Sequence, residues 1–291
     1  LGLVEGIAVF GGGGDASLIG VGAGSVALGD THIYSGTSGW VSTVTDKSVV
    51  DASAMIAAIV GADPGKYIYF AELETAGKCL EWVKDHLALD EIDIYLEKTH
   101  VADSYESKYT SLYDYMTDVI LQVPAGSGGV IFTPWLHGNR CPFEDPNARG
   151  MFFNISLETG KSELIRSVVE GVCYHLRWFI ETENKKVPVS DTMRFVGGGA
   201  LSRATCQILA DVTGKTIEVV KSPQNVGAVG AAVIVAVGLG IIHNIGEAKK
   251  LIPAEQTYLP NPKVKPIYDK QYQVYKNLYK CNKANFAALN G

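Results

Sequence analysis

The sequence predicts an α/β domain in which a mixed sheet is flanked by helices. Short runs rich in β-branched and aromatic residues alternate with longer segments whose apolar residues recur every three or four positions. Glycine-rich turns follow several of the β-rich runs, and open α/β sheets bind their ligands at such strand ends. The apolar fraction of 47% in 291 residues is ample for the core of such a domain.

The first element is a glycine turn at residues 11–14 that leads to Asp15. The apolar run at residues 7–10 predicts a strand before this turn, and a segment of small residues follows at 16–24. This order places the Asp15 carboxylate at the C-terminal end of a strand. From these residues alone two interpretations stay open: a carboxylate that acts on a ligand, and a turn whose Asp caps the next helix.

The next element is a predicted hairpin, formed by β-rich runs at residues 31–34 and 40–45. Its tip, at residues 35–39, consists of glycines and hydroxyl residues. Backbone N–H groups beside such small side chains can point into one concavity, and Thr37 and Ser38 add hydroxyl donors, so the tip can bind phosphate. An ordinary hairpin turn is the alternative interpretation.

The middle of the chain continues the alternation of strands and helices. Its predicted elements are strands at 55–60, 67–70, 130–133 and 151–155, and helices at about 75–89, 109–123 and 162–183. A proline-interrupted loop at residues 134–150 separates two of these strands. We expect most of its His, Arg and Asp side chains to be scaffolding, and His175 to be a helix-face residue rather than a ligand.

A second glycine turn, at residues 197–199, follows a strand predicted at 192–196 and runs into a helix at 203–213. A strand, a glycine turn and a helix N-terminus together form an anion site from backbone donors and the helix dipole. The chain then continues with a strand at 216–220, a helix of small residues at 226–239 and a tyrosine-rich helix at 267–288.

The composition excludes several classes of function. A net charge of −6 without a Lys/Arg block disfavours nucleic acid and anionic membranes as partners. The five cysteines form no C-x-x-C pair, which argues against a zinc site or a disulfide framework, and no metal site is predicted. The apolar run at 226–242 is interrupted by glycines and indicates a buried helix rather than a membrane span. We therefore expect a cytoplasmic protein that acts on a small molecule.

Two familiar nucleotide motifs are also excluded. The Gly-Lys-Ser and Gly-Lys-Thr segments at 160–162 and 214–216 lack the earlier glycine of a P-loop. A dinucleotide site requires an acidic residue at the end of a strand about 20 residues after its glycine turn, and no such residue follows the glycine turns of this chain. The chain is therefore not expected to be half of a dinucleotide-binding oxidoreductase.

The order of the remaining motifs resembles a known family. The segments are Gly12-Gly13-Gly14-Asp15, Gly36-Thr37-Ser38-Gly39, Asp145-Pro146-Asn147-Ala148-Arg149-Gly150, Gly197-Gly198-Gly199-Ala200 and Gly227-Ala228-Val229-Gly230-Ala231-Ala232. Over residues 7–240 they resemble the C-terminal half of an FGGY carbohydrate kinase, nearest to the xylulokinases. The resemblance implies an actin-like ATPase (ribonuclease H-like) domain. It also implies that ATP, with Mg²⁺, phosphorylates a sugar hydroxyl, with a ketopentose such as xylulose as the expected substrate.

The resemblance implies roles for individual residues. Asp15 matches the catalytic base, which takes the proton from the sugar hydroxyl as it attacks the γ-phosphate. The positions that match ATP-binding residues of the family are Gly36, Thr37, Ser38, Gly77, Gly198, Gly199, Ala200 and Arg203. Ala16 stands where glycerol kinases use Gln, so glycerol is a less favoured substrate.

The resemblance also implies a domain division. Residues 1–15 match the end of an N-terminal domain and the hinge with the catalytic Asp, and residues 16–291 match the ATP-binding domain. The N-terminal sugar-binding domain is absent from the sequence, so we expect the chain alone to lack sugar kinase activity. Its expected partners are a sugar and that domain, and homodimerisation is left open. The alternative function is a non-catalytic actin-like nucleotide-binding module in which Asp15 is a helix cap.

Overall fold

The computed structural model describes residues 2–87, 109 and 111–291. The strands that it contains in these ranges are β1 (Thr31–Ser35), β2 (Gly39–Thr45), β3 (Val50–Asp51), β4 (Ile56–Val60), β5 (Tyr67–Leu73), β6 (Ile131–Phe132), β7 (Phe152–Phe153), β8 (Thr192–Val196), β9 (Thr216–Val220) and β10 (Ala254–Tyr258). The main sheet of the described residues has eight strands in the order β10-β9-β8-β1-β2-β5-β4-β3, and β6 pairs separately with β7.

Helices cover both faces of this sheet. They are α1 (Asp15–Gly22), α2 (Gly77–His86), α3 (Leu112–Gln122), α4 (Lys161–Glu183), α5 (Arg203–Thr213), α6 (Val226–Gly238), α7 (Ala248–Leu251) and α8 (Lys265–Asn290). Side chains alternate along β1: Ile33 packs into the core with α4 and α5, whereas Tyr34 faces the opposite side, where α1 and α6 pack. None of the described helices combines the length and apolar composition that a membrane span requires.

The order of the strands brings the two glycine turns together. β8 pairs in parallel with β1, so Val196 at the end of β8 lies beside Tyr34 near the end of β1. β1 turns directly into β2 through the predicted hairpin, and Gly197 follows β8. The hairpin tip and the second glycine turn therefore lie at one edge of the sheet, which is where open α/β sheets place ligands.

Two glycines let α1 and α6 cross with their backbones in contact. A Cβ atom on Gly22 would lie 1.8 Å from the Val226 carbonyl oxygen, and one on Gly230 would lie 1.9 Å from the Leu18 carbonyl oxygen. Neither distance is available to a real side chain. The position of α1 relative to the sheet is thus set by this crossing.

Most of the predicted elements are confirmed, several of them to the residue, as in β8, α5 and β9. The strand predicted at residues 7–10 is wrong, because this segment pairs with no strand of the described residues and Val9 is 88% exposed. Asp15 consequently begins helix α1 and does not end a strand. β10 was not predicted, because Glu255 and Gln256 give this edge strand no apolar alternation.

The loop between β6 and β7 acts as scaffolding, as the sequence predicts. The buried Asp145 carboxylate accepts hydrogen bonds from the Tyr279 hydroxyl at 3.0 Å and from the Asn147 N–H at 2.9 Å. Arg140 forms ion pairs with Glu72 and Glu74. The His175 ring is fully buried on α4 and lies 2.7 Å from the Tyr275 hydroxyl, so it is a packed residue of the helix face.

A carboxyl group lies buried beneath the centre of the sheet. The Oε2 atom of Glu183 accepts a hydrogen bond from the Thr43 hydroxyl at 2.8 Å, and Oε1 has no partner in the described ranges. Burial raises the pKa of Glu183 from its ordinary value to about 8. The group is therefore protonated in the folded chain at neutral pH.

This proton makes the stability depend on pH. The unfolded chain releases it near the ordinary glutamate pKa, whereas the folded chain keeps it up to about pH 8. The free energy of unfolding should therefore fall as the pH rises between these values. In the wild-type chain we expect the free energy of unfolding, measured in urea, to fall by on the order of 3 kcal/mol between pH 5 and pH 8 because of Glu183. In Glu183→Gln this fall should be absent. The exposed Glu144→Gln controls for surface charge, and equal pH slopes in wild type and Glu183→Gln would contradict the interpretation.

Candidate functional site

A cleft of about 540 Å³ opens at the sheet edge where the two glycine turns meet. The hairpin tip and the start of α2 form one side, with Gly36, Thr37 and Gly77. The second glycine turn and the start of α5 form another side, and α3 forms the remaining wall. The side chains of α3 that line the cleft are Tyr113, Asp114, Met116, Thr117 and Ile120.

The hairpin tip is held by its carbonyl groups. The Gly36 carbonyl accepts from the Gly77 N–H at 2.8 Å, and the Thr37 carbonyl accepts from the N–H groups of Ala76 and Lys78 at 3.1 and 3.3 Å. In the described part of the chain the N–H groups of Thr37 and Ser38 donate to no backbone carbonyl. The tip thus has its acceptors satisfied and keeps donors for an anion.

Gly77 is required by the contact between α2 and the hairpin. A Cβ atom at this position would lie 2.4 Å from the Gly36 carbonyl oxygen. We expect Gly77→Ala to displace the tip and to weaken binding of a phosphate-bearing ligand about tenfold, which is the lower end of the cost of overpacking. Titration of the chain with MgATP tests this. The matched control is Gly227→Ala, because a Cβ on Gly227 would lie at an ordinary 3.6 Å from the Ile19 side chain.

The second glycine turn offers open backbone to the cleft. Gly197 has a φ of +93°, and its N–H donates to the Pro223 carbonyl at 2.8 Å. A Cβ on Gly198 would meet nothing within 4 Å, whereas one on Gly199 would lie 2.8 Å from the Ser35 hydroxyl oxygen. Gly198 therefore faces free space, and Gly199 allows the turn to pack against β1.

The remaining predicted ATP-binding residues do not line the cleft. Ser38 completes the hairpin, and Ala200 is buried behind the second glycine turn. The Arg203 guanidinium donates to the Asp118 carboxylate at 2.8 Å and so joins α5 to α3. The Ser202 and Thr117 hydroxyls, 2.9 Å apart, make a second link between the same helices. Arg203 thus stabilises the wall formed by α3 and α5 without lining the cleft.

Asp15 lies away from the cleft walls, at the exposed start of α1. Gly14 occupies the N-cap position of this helix, and among the described residues the Asp15 Oδ1 atom accepts from the adjacent Ala16 N–H alone, at 2.8 Å. Ala16 carries the second N–H of the helix, so the Asp15 carboxylate satisfies one free N–H group of the first turn, although it does so from the first helical position and not from the N-cap. This geometry is consistent with both interpretations of Asp15, and its Oδ2 atom accepts no hydrogen bond from the described residues.

The sequence did not identify α3 as part of the site. The helix was predicted at residues 109–123, but its tyrosines and aliphatic residues look the same whether they pack in a core or line a cleft. In the described ranges no group of three or more His, Cys, Asp or Glu side chains is placed to hold a metal ion.

Comparison with solved structures defines the class of this protein. The ligand-bound xylulose kinase from Lactobacillus acidophilus superposes with a TM-score of 0.79 at 25% identity, over 94% of this chain and 51% of that one. The architecture is that of the FGGY sugar kinases, which have an actin-like ATPase fold, so the predicted fold class is confirmed.

Sequence comparison then gives the family. Residues 32–239 match the model of the C-terminal domain of the FGGY family of carbohydrate kinases, and the chain belongs to that family. It is 29% identical over 290 residues to a xylulose kinase of Staphylococcus epidermidis, and 26% identical over 274 residues to a gluconokinase of Bacillus subtilis. These matches cover 99% and 91% of this chain but 54% and 51% of the relatives, so the chain spans about half their length.

Proposed function

We propose that this chain is the ATP-binding half of a kinase that transfers the γ-phosphate of MgATP to a sugar hydroxyl. One observation carries the proposal. Two glycine turns meet at a single cleft: the hairpin tip has N–H groups at Thr37 and Ser38 that donate to no backbone carbonyl of the described residues, and the second turn has open space at Gly198. Phosphoryl transfer requires mainly positioning and charge stabilisation, which a cradle of backbone donors supplies.

We assign a part of the nucleotide to each side of the cleft. The phosphates contact Gly36, Thr37, Ser38 and the start of α2 at Gly77. The adenosine lies against Gly198 and Gly199 and along α3. Ala200 supports this turn from behind, and Arg203 contributes through its ion pair with Asp118, which keeps α3 and α5 together.

Mg²⁺ would bind at this site mainly through the nucleotide phosphates, because the described residues contain no group of three or more His, Cys, Asp or Glu side chains placed to hold a metal ion. When bound, the ion neutralises charge on the phosphate oxygens. The chain's own contribution is the set of N–H donors at the hairpin tip. Asp15 is the base that accepts the proton of the sugar hydroxyl, because its carboxylate is exposed and its Oδ2 atom accepts no hydrogen bond from the described residues.

We also propose a division into domains and a substrate. Residues 1–15 form the end of an N-terminal sugar-binding domain and the hinge, and residues 16–291 form the ATP-binding domain. The sugar is a ketopentose such as xylulose, in line with the names of the xylulose kinase relatives. We place the protein in the cytoplasm, with its N-terminal domain as the partner that closes on this one.

Two measurements test the proposal. The chain should bind MgATP and MgADP in calorimetric titration and should not bind NAD. The full-length protein should phosphorylate one member of a panel of xylulose, ribulose, gluconate and glycerol. Nucleotide binding without turnover of any sugar or polyol would favour the alternative, a non-catalytic actin-like nucleotide-binding module. Tight binding of NAD in place of ATP would contradict both.

A further inference from the structure

One aromatic side chain lies between the two glycine turns. A Cβ atom on Gly36 would lie 2.1 Å from the Tyr34 hydroxyl oxygen, and one on Gly197 would lie 3.0 Å from Cε2 of the same ring. The φ of Gly36 is outside the left-handed region, so the ring of Tyr34, and not the backbone conformation, explains why a glycine stands there. The Tyr34 ring therefore sets the spacing between the hairpin tip and the second turn.

The ring of Tyr34 is itself held in place. Trp40 lies opposite Tyr34 in the antiparallel pair of β1 and β2, and the two rings stack with centroids 3.9 Å apart and an interplanar angle of 20°. Phe70 packs on Trp40 at a centroid distance of 5.6 Å. Such stacked cross-strand pairs restrict the orientation of both rings.

A buried histidine orients Trp40. The Trp40 indole N–H donates to Nε2 of His32 at 3.1 Å, and His32 is fully buried. This bond requires a neutral imidazole with its proton on Nδ1. Burial lowers the pKa of His32 to about 4, so the ring stays neutral and remains an acceptor at physiological pH.

The same histidine touches the helix that begins at Asp15. A Cβ atom on Gly20 of α1 would lie 3.2 Å from Cε1 of His32. Contacts therefore run without a gap from α1, through His32, Trp40 and Tyr34, to both glycine turns.

We infer that His32, Trp40 and Tyr34 form a positioning unit that fixes the phosphate-binding hairpin tip relative to the second glycine turn and to α1. The inference rests on the proposed function, because it assigns the hairpin tip to the phosphates. The three residues do not contact the ligand. Their effect should fall mainly on the phosphate half of the nucleotide, because the Tyr34 hydroxyl lies directly against Gly36 of the hairpin tip. The adenosine side is held in addition by α3 and by the ion pair that joins α3 to α5.

The chain contains a matched control for this unit. Trp135 and His175 form a second buried pair in which the indole N–H donates to an imidazole nitrogen, at 3.3 Å. Their surroundings are the aromatic side chains of α4 and α8, and no glycine turn of the cleft contacts them. A variant of Trp135 thus measures how far the loss of a buried Trp–His pair alters ligand affinity when the pair does not contact the turns of the cleft.

The test compares the affinities for MgATP and adenosine in titrations of the wild-type chain and its variants. We expect Tyr34→Leu, Trp40→Phe and His32→Leu to raise the Kd for MgATP about tenfold while the Kd for adenosine stays within about twofold, since small misplacements of positioned groups cost this much or more. His32→Gln should restore the wild-type value, because its amide oxygen can accept from Trp40. Trp135→Phe should leave the ratio of the two affinities unchanged.

Equal losses for MgATP and adenosine, or an unchanged Kd for MgATP, would overturn the inference while leaving the proposed function intact. A wild-type chain that binds no MgATP would overturn both. If a variant of the unit does not fold, the Trp82→Phe chain decides the question through its tryptophan emission, because Trp40 stacks on Tyr34 and Trp82→Phe removes the tryptophan of α2, the helix that borders the cleft. MgATP should change this emission and adenosine should not; identical responses to the two ligands would overturn the inference.

Discussion

Asp15→Asn in the full-length protein should lower kcat for sugar phosphorylation by about 10²- to 10⁴-fold and leave the Kd for MgATP within about twofold. The variant keeps the shape of the side chain and removes its ability to accept a proton. Nucleotide affinity is retained because Asp15 does not line the cleft. Steady-state kinetics and calorimetry on the same preparation measure the two quantities.

The control for this experiment is Asp46→Asn, which neutralises another exposed carboxylate after β2. It should leave both constants unchanged. Full turnover by Asp15→Asn would show that the carboxylate is not the base and would favour the non-catalytic nucleotide-binding module.

Gly230→Ala should destabilise the chain although the same substitution usually favours a helix. Replacing a helical glycine by alanine ordinarily stabilises by about 0.5–1 kcal/mol. Here the added Cβ would lie 1.9 Å from the Leu18 carbonyl oxygen, so α1 and α6 must separate. We expect a net loss of about 1–3 kcal/mol in the free energy of unfolding, measured in urea, because overpacking outweighs the propensity gain.

The displacement of α1 should also change the position of Asp15, the proposed base. In the full-length protein Gly230→Ala should reduce kcat, because Asp15 begins the helix that moves. Gly227→Ala on the same helix has room for its Cβ and should stabilise the chain slightly.

Gly22→Ala should also force α1 and α6 apart at this crossing. The double variant with Gly230→Ala should therefore lose less free energy of unfolding than the sum of the losses of the two single variants. Strict additivity would argue that the two glycines do not act at one contact.

The elements that were predictable from the sequence are those with strong local signals. β8, α5 and β9 are bounded by glycines and by changes between β-branched and helical periodicity, and these signals do not depend on the rest of the fold. The segment at 7–10 has the composition of a strand, but strand formation also needs a partner, which composition does not reveal. β10 pairs with the edge strand β9 although Glu255 and Gln256 are polar.

The parts of the candidate site that the sequence predicts are those formed by the backbone of glycines. Gly36, Gly77 and Gly198 form the cleft as the motifs indicate. The wall formed by α3 could not be predicted, because its lining depends on which face of the helix packs. The ion pair of Arg203 with Asp118 joins residues far apart in the chain, so nothing near either residue indicates it.

The central claim is that the cleft between the two glycine turns holds a nucleotide with its phosphates at the hairpin tip, and a crystal structure of this chain with MgADP tests it most directly. We predict that the phosphates contact Gly36, Thr37 and Ser38, with the adenosine between Gly198, Gly199 and α3. Nucleotide bound elsewhere on the chain, or with its phosphates turned away from the hairpin tip, would contradict the claim.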